Sequence, residues 1–147
     1  MDPLKLIAFD KDDLEIISAH LQDAVINVGE IIWRPSEQRV VIPLCRFDWV
    51  SAESEKPEYR RRLAALRFER VGAFKARNID PAARAVVLNL LSVDYAEADA
   101  PTGYITLNFS GGAAIRLDVE CLESELVDLG PEWVTAHRPG HPENLEG

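Results

Sequence analysis

The sequence contains few cysteines and no long apolar run. Of its 147 residues only Cys45 and Cys121 are cysteines, and they form neither a C-x-x-C motif nor any other close pair. A disulfide framework is therefore not predicted, because isolated thiols in apolar surroundings are typical of small core residues. No stretch approaches the roughly 18 apolar residues that a membrane-spanning helix requires, so no membrane span is predicted.

The first residues also lack the features of a secretory signal peptide. Their apolar stretch has no basic region in front of it and ends at Asp10-Lys11-Asp12-Asp13. Together with the isolated thiols, this absence leads us to expect a cytoplasmic protein.

Basic residues are scarce in the last third of the chain. Residues 1–93 carry 14 basic and 14 acidic side chains, whereas residues 94–147 carry 2 basic and 11 acidic ones, which accounts for the formal net charge of −9. Such a field repels phosphate backbones and anionic lipid surfaces. The charge pattern therefore predicts no nucleic-acid partner and no membrane partner.

The remaining composition is that of one ordinary soluble domain. Hydrophobic residues make up 47% of the chain and charged residues 28%, close to the averages for globular proteins. A chain of this length buries enough surface to fold without a metal or a disulfide. We expect a single domain over residues 1–134 and a polar tail over residues 135–147, but the composition indicates no function.

The spacing of apolar residues predicts a helix near the start of the chain. Asp10 is a suitable N-cap, and a helix from Lys11 to about Asp23 would place apolar residues on one stripe. The members of this stripe are Leu14, Ile17, Leu21 and Ala24.

Short strands are predicted for most of the rest. Residues 40–45 form a nearly continuous apolar strand in which Pro43 favours an edge or a bulge. Residues 104–109 and 114–120 alternate cleanly, and Gly111-Gly112 between them predicts a hairpin. Residues 60–78 fit either strands or a helix, and we favour strands.

A second helix is predicted near the end, from apolar residues at helical spacing followed by Gly130-Pro131. These apolar residues are Leu122, Leu126 and Leu129. The predicted fold is therefore α+β, an antiparallel β-rich barrel or sandwich of about six or seven strands with an N-terminal and a C-terminal helix. This element order resembles that of pleckstrin-homology-like barrels.

Several stretches together resemble a known family. They are residues 20–24 (HLQDA), 46–49 (RFDW), 60–66 (RRRLAAL), 111–123 (GGAAIRLDVECLE) and 128–133 (DLGPEW). They are similar to a bacterial family of single-domain proteins catalogued only as a domain of unknown function, over residues from about Leu6 to about His141. The resemblance implies no activity and no catalytic residues.

The densest basic stretch suggests a binding site for anions. Seven of the 16 cationic residues fall within residues 60–77. On a sheet face, arginines of this segment could bind a phosphate or a carboxylate. The candidate ligand-binding residues are Arg46, Arg62, Arg67 and Arg70. The alternative is that the basic segment pairs with the acidic last third.

The histidines give weaker suggestions. His20 precedes Asp23 by three residues on the predicted helix, a spacing that could orient an imidazole for acid–base chemistry. His137 and His141 have the spacing of helical metal ligands, but Arg138-Pro139-Gly140 between them forbids a helix. No metal and no cofactor are predicted.

Three functional hypotheses follow. The leading one is a non-catalytic protein-interaction module that binds an unknown protein partner or forms a homodimer. The alternative is a small-molecule or phospho-ligand binding domain that uses the arginine-rich segment 60–77. The further alternative is an enzyme of unknown class that uses His20, although no nucleophile motif accompanies it.

Overall fold

A computed structural model of the chain describes residues 3–52 and 59–134. Within these residues the backbone forms ten β-strands, two α-helices of 11 and 4 residues, and three short 3₁₀ turns. The strands are β1 (Lys5–Ala8), β2 (Val25–Asn27), β3 (Ile32–Arg34), β4 (Arg39–Phe47), β5 (Arg60–Phe68), β6 (Val71–Arg77), β7 (Val87–Glu97), β8 (Gly103–Phe109), β9 (Ala114–Val119) and β10 (Ser124–Val134), and the helices are α1 (Lys11–Leu21) and α2 (Trp49–Ala52).

All ten strands belong to one antiparallel sheet. Its order is β1-β10-β5-β4-β2-β7-β8-β9-β6, with β3 paired to β4 beside this path. The antiparallel, β-rich α+β prediction is confirmed, but the barrel is wrong because β1 and β6 end the sheet without pairing within the described ranges. The predicted strand number is also too low, because β1 was not predicted and the segment of β10 was predicted as a helix. The pleckstrin-homology-like order is not confirmed.

One face of the sheet, together with α1, encloses a single apolar core. Asp10 caps α1 as predicted, since its side chain accepts the Asp13 N–H at 2.8 Å. Leu14, Ile17 and Leu21 of α1 are at most 1% exposed. They join one cluster with the inward side chains of both halves of the sheet. The helix therefore packs against the inner face of the sheet.

The predicted hairpin is confirmed. Strands β8 and β9 pair directly, and Gly111 and Gly112 in the turn have φ angles of 80° and 84°. That left-handed conformation is strained for residues with a Cβ. The alternating apolar residues of the two strands are at most 4% exposed: Ile105, Leu107, Phe109, Ile115, Leu117 and Val119.

Residues 60–77 form strands, the alternative that the sequence favoured. Every second side chain of β5 is buried from Arg62 to Phe68, which is the period of a strand with one inward face. The chain then turns at Arg70, whose φ is 60°, and continues as β6.

The predicted C-terminal helix is wrong, because this segment is strand β10. It pairs with β1 on one side and β5 on the other. Leu122 and Leu126 are buried, whereas Leu129 is 58% exposed. A spacing of four residues is a multiple of two, so the first two leucines fit a strand as well as a helix.

At Pro43, one of the two edges of β4 has no neighbouring strand and therefore needs no backbone N–H donor. β5 pairs along one edge of β4, while β3 pairs with residues 39–41 and β2 with Cys45 along the other. Pro43 falls between these two partners, so its missing N–H leaves the ladder intact. This local edge agrees with the sequence prediction.

The described helices are too short to cross a membrane. The predicted tail over residues 135–147, with His137 and His141, lies outside the described residues.

Candidate functional site

Four charged side chains are buried together at one end of the inner sheet face. Arg46 follows the inward residues of β4, and Arg62 lies opposite it on β5. Asp128 comes from β10 and Asp48 from the residue after β4. The exposed fraction is 2% for Arg46 and Asp48 and 3% for Arg62, and the side chain of Asp128 is fully buried.

The strongest contact of this ionic cluster is a bidentate pair. Arg46 Nε and Nη2 donate to the two carboxylate oxygens of Asp128, each at 2.8 Å. The Leu4 N–H donates to Asp128 Oδ2 at 2.7 Å. Arg62 Nε lies 3.7 Å from Asp48 Oδ2 and 3.9 Å from Asp128 Oδ2. Two positive and two negative charges therefore neutralise one another inside the domain, as buried charges require.

Two groups at this site, Asp128 and His20, have pKa values below their ordinary values. Burial acts to raise the pKa of Asp128, but the hydrogen bonds from Arg46 and Leu4 and the charges of Arg46 and Arg62 hold it below its ordinary value. Burial, and secondarily the charge of Arg46, lowers the pKa of His20, while Asp48 and Asp128 act in the opposite direction. The net shift favours the uncharged imidazole.

His20 also lines a surface groove between α1 and α2. The groove has a volume of about 520 Å³, and its described lining residues are Ala19, His20, Trp49 and Val50. The Trp49 indole N–H donates to the Gln22 carbonyl at 2.9 Å, which ties α2 to the end of α1. The sequence suggested Asp23 as the partner of His20, whereas the acids whose charges act on its pKa are Asp48 and Asp128.

The other candidate arginines lie elsewhere. Arg67 is on the opposite face of β5, where it contacts Glu69 at 2.9 Å and Glu125 at 3.4 Å. Arg70 is exposed in the turn between β5 and β6. Of the four predicted ligand-binding residues, the structure brings together only Arg46 and Arg62. The Arg67–Glu125 contact agrees with the alternative of pairing with the acidic last third.

The outward face of β2, β3, β4, β5 and β10 is apolar in its middle and carries charged residues such as Arg39, Arg67 and Glu125 at its border. Strand register places Val127, Ala65 and Pro43 in one row across three strands, and Leu63 beside Cys45 in the next row. Leu63 is 43% exposed. We call this surface the apolar face and define it by Val25, Ile32, Val41, Pro43, Cys45, Leu63, Ala65 and Val127.

The outward face of the other half of the sheet is polar on β6, β8, β9 and the second half of β7, whereas Val87 and Leu91 in the first half of β7 are exposed. Its side chains bond to one another, as in the contacts of Asn108 with Ser92 at 3.1 Å and with Asp94 at 2.8 Å. We call this surface the polar face and define it by Lys75, Ser92, Asp94, Tyr104, Thr106, Asn108, Arg116 and Asp118.

These features define a single-sheet α+β domain with an ionic cluster inside and two unlike outer faces. The model of the family described as "Protein of unknown function (DUF2948)" matches residues 4–141. The chain belongs to that family, which confirms the resemblance to a domain of unknown function. No curated protein and no solved structure matches the chain.

We predict that Asp128→Asn lowers the free energy of unfolding by about 3–5 kcal/mol, because the charge of Arg46 loses its partner while it stays buried. Urea denaturation measures this loss. The double variant Arg46→Met/Asp128→Leu removes both charges and should be closer to wild type than the single variant. A loss below about 0.5 kcal/mol, typical of surface substitutions, would contradict the account of the cluster.

We predict a loss of stability in acid that depends on His20. Its folded pKa is lower than the ordinary value of 6.5, so the unfolded chain binds the proton more readily and stability falls as the pH drops below about 6.5. Asp128, whose pKa is also lowered, adds a second loss below its ordinary value of 3.8. The measurement is the free energy of unfolding against pH for wild type and His20→Gln.

We expect His20→Gln to lack the loss of stability that begins near pH 6.5 and to keep the loss that Asp128 causes at lower pH. His137 and His141 are present in both proteins, so their effects cancel in the difference between the curves. Parallel curves between about pH 7.5 and 5 would show that His20 has the same pKa in the folded and the unfolded chain, which would contradict the prediction.

Proposed function

We propose that this protein is an interaction domain that forms a homodimer through the apolar face. The observation that carries the proposal is the contrast between the two outward faces of one sheet. An antiparallel sheet normally turns polar side chains to water on the side away from its core. The polar face follows this rule, and the apolar face breaks it.

The apolar side chains are adjacent rather than scattered. Ile32 and Val41 are register partners, as are Pro43 and Ala65, and Leu63 and Cys45. Ile32 is 38% exposed and Leu63 43%. Contiguous exposed apolar surface of this kind is typical of protein-binding sites in soluble domains. Covering it removes apolar area from water, which is the main driving force of association.

A second copy of the chain is a suitable partner, because the apolar faces of two copies can pack against each other. A sheet face is flat enough to pack against another sheet face at a spacing of about 10 Å. Two copies related by a two-fold axis bury the same residues on each side. The apolar face has both signs of charge at its border, with Lys5 beside Val127 and Glu125 beside Arg67.

The net charge of −9 does not oppose this contact locally. Glu125 and Glu69, the acids at the border, are each within 3.4 Å of an arginine: Glu125 contacts Arg67, and Glu69 contacts Arg67 and Arg39. The repulsion between two acidic copies therefore arises mainly from charges away from the contact, which salt screens beyond about 10 Å.

We predict that Leu63→Lys converts the dimer to a monomer. A lysine at this exposed position leaves the fold intact but would place an unpaired charge inside the dimer contact. Light scattering after size exclusion, over a range of concentrations, measures the mass. The expected result is a dimer for wild type and a monomer of 16.4 kDa for the variant.

Ala96→Lys is the matched control. Ala96 is exposed and lies opposite Tyr104 on the polar side of the sheet, so this variant adds the same charge away from the proposed contact and should remain dimeric. A wild-type protein that is monomeric at all concentrations would refute self-association, as would equal dissociation of both variants.

A further inference from the structure

The polar face contains a hollow lined by cations. Its volume is about 240 Å³, and its described lining residues are Lys75, Ala76, Arg77, Thr106, Ala114 and Arg116. None of these residues is acidic. Three positive charges therefore surround a small space on a protein whose net charge is strongly negative.

Strand register brings these cations together from two strands. Lys75 of β6 lies directly opposite Arg116 of β9, and Arg77 lies opposite Ala114. Thr106 of β8 is the register partner of Arg116 on the other side. Like charges directly opposite each other on neighbouring strands are destabilising, so this arrangement opposes folding unless a negative charge lies between them.

One carboxylate supplies part of that charge. Asp118 lies 3.3 Å from Lys75 and 3.0 Å from Arg116, and the Arg116 guanidinium lies 3.8 Å above the Tyr104 ring. These contacts hold two of the cations in place. Arg77 is exposed and has no ion-pair partner among the described residues. Three cations and one carboxylate therefore lie at the hollow, which leaves an excess of two positive charges.

We propose that this hollow binds the phosphoryl group of a small phosphorylated molecule. A phosphate monoester carries nearly two negative charges at neutral pH and three acceptor oxygens, which matches the charge excess. Arg77 and Lys75 donate to its oxygens, Arg116 contributes a guanidinium already oriented on Tyr104, and the Thr106 hydroxyl is a further donor.

The surroundings favour a small ligand over a nucleic acid. Asp94 lies across from Thr106 on β7, and Asp118 borders the hollow on β9. A polymer that extends beyond the hollow would meet these acids, and its affinity would depend on many phosphate contacts that three cations cannot supply. A single phosphoryl group fits between them.

The test is a titration of the ¹⁵N-labelled protein with inorganic phosphate and with phenyl phosphate at constant ionic strength. We expect saturable shifts of the amides of residues 75–77, 106 and 116. Arg77→Met should weaken binding about tenfold, or about 1.4 kcal/mol, with unchanged stability because Arg77 is exposed.

Arg34→Met is the control, since Arg34 is an exposed arginine on β3 and its loss changes the net charge equally. Equal weakening of phosphate binding by both variants would show that binding depends only on the net charge of the protein, and it would overturn the proposal. Absence of saturable shifts at millimolar phosphate and phenyl phosphate would also overturn it. Tighter binding of a single-stranded oligonucleotide than of phenyl phosphate would overturn the assignment to a small molecule.

Discussion

Alternation of side chains along antiparallel strands is the constraint on which this structure depends. Each strand presents every second residue to the core and the others to the outside. One continuous sheet therefore has one inner surface, which encloses the core with α1, and one outer surface that runs from β1 to β6. The chemistry of this protein follows from how charged and apolar residues are divided between the two surfaces.

The ionic cluster is an inner-surface feature. Arg46 and Arg62 occupy inward positions at the ends of their strands, so they are buried although arginine is rarely found inside proteins. Their burial requires Asp48 and Asp128 as counter-ions. Because Asp128 also accepts the Leu4 N–H, one carboxylate links β10 to β4 and to the residue before β1. The cluster thus joins segments that are far apart in sequence.

Elements with a local sequence pattern were predicted correctly. The Asp10 cap and the apolar stripe predicted α1, and Gly111-Gly112 predicted the β8–β9 hairpin. The C-terminal helix was predicted wrongly because Leu122 and Leu126 have a spacing that suits both a helix and a strand. That error hid Asp128, whose inward position is visible only in the context of β10.

The arginine site was predicted wrongly for a related reason. Arg62 and Arg67 lie five residues apart in one basic segment, but an odd spacing in a strand places them on opposite faces. Sequence clustering therefore suggested one arginine site, whereas the structure has a neutralised cluster inside and ion pairs outside. The apolar face had no sequence signal either, because its residues come from five strands and meet only through register.

Thiol alkylation tests most directly whether the apolar face is an interface. The measurement is the alkylation rate of each cysteine at several protein concentrations. Cys45 lies on the apolar face, and Cys121, between β9 and β10, is an internal reference; both are free and half-buried. If two copies pack through the apolar face, alkylation of Cys45 slows as the protein is concentrated while the rate for Cys121 stays constant. A constant ratio of the two rates at all concentrations would contradict this prediction.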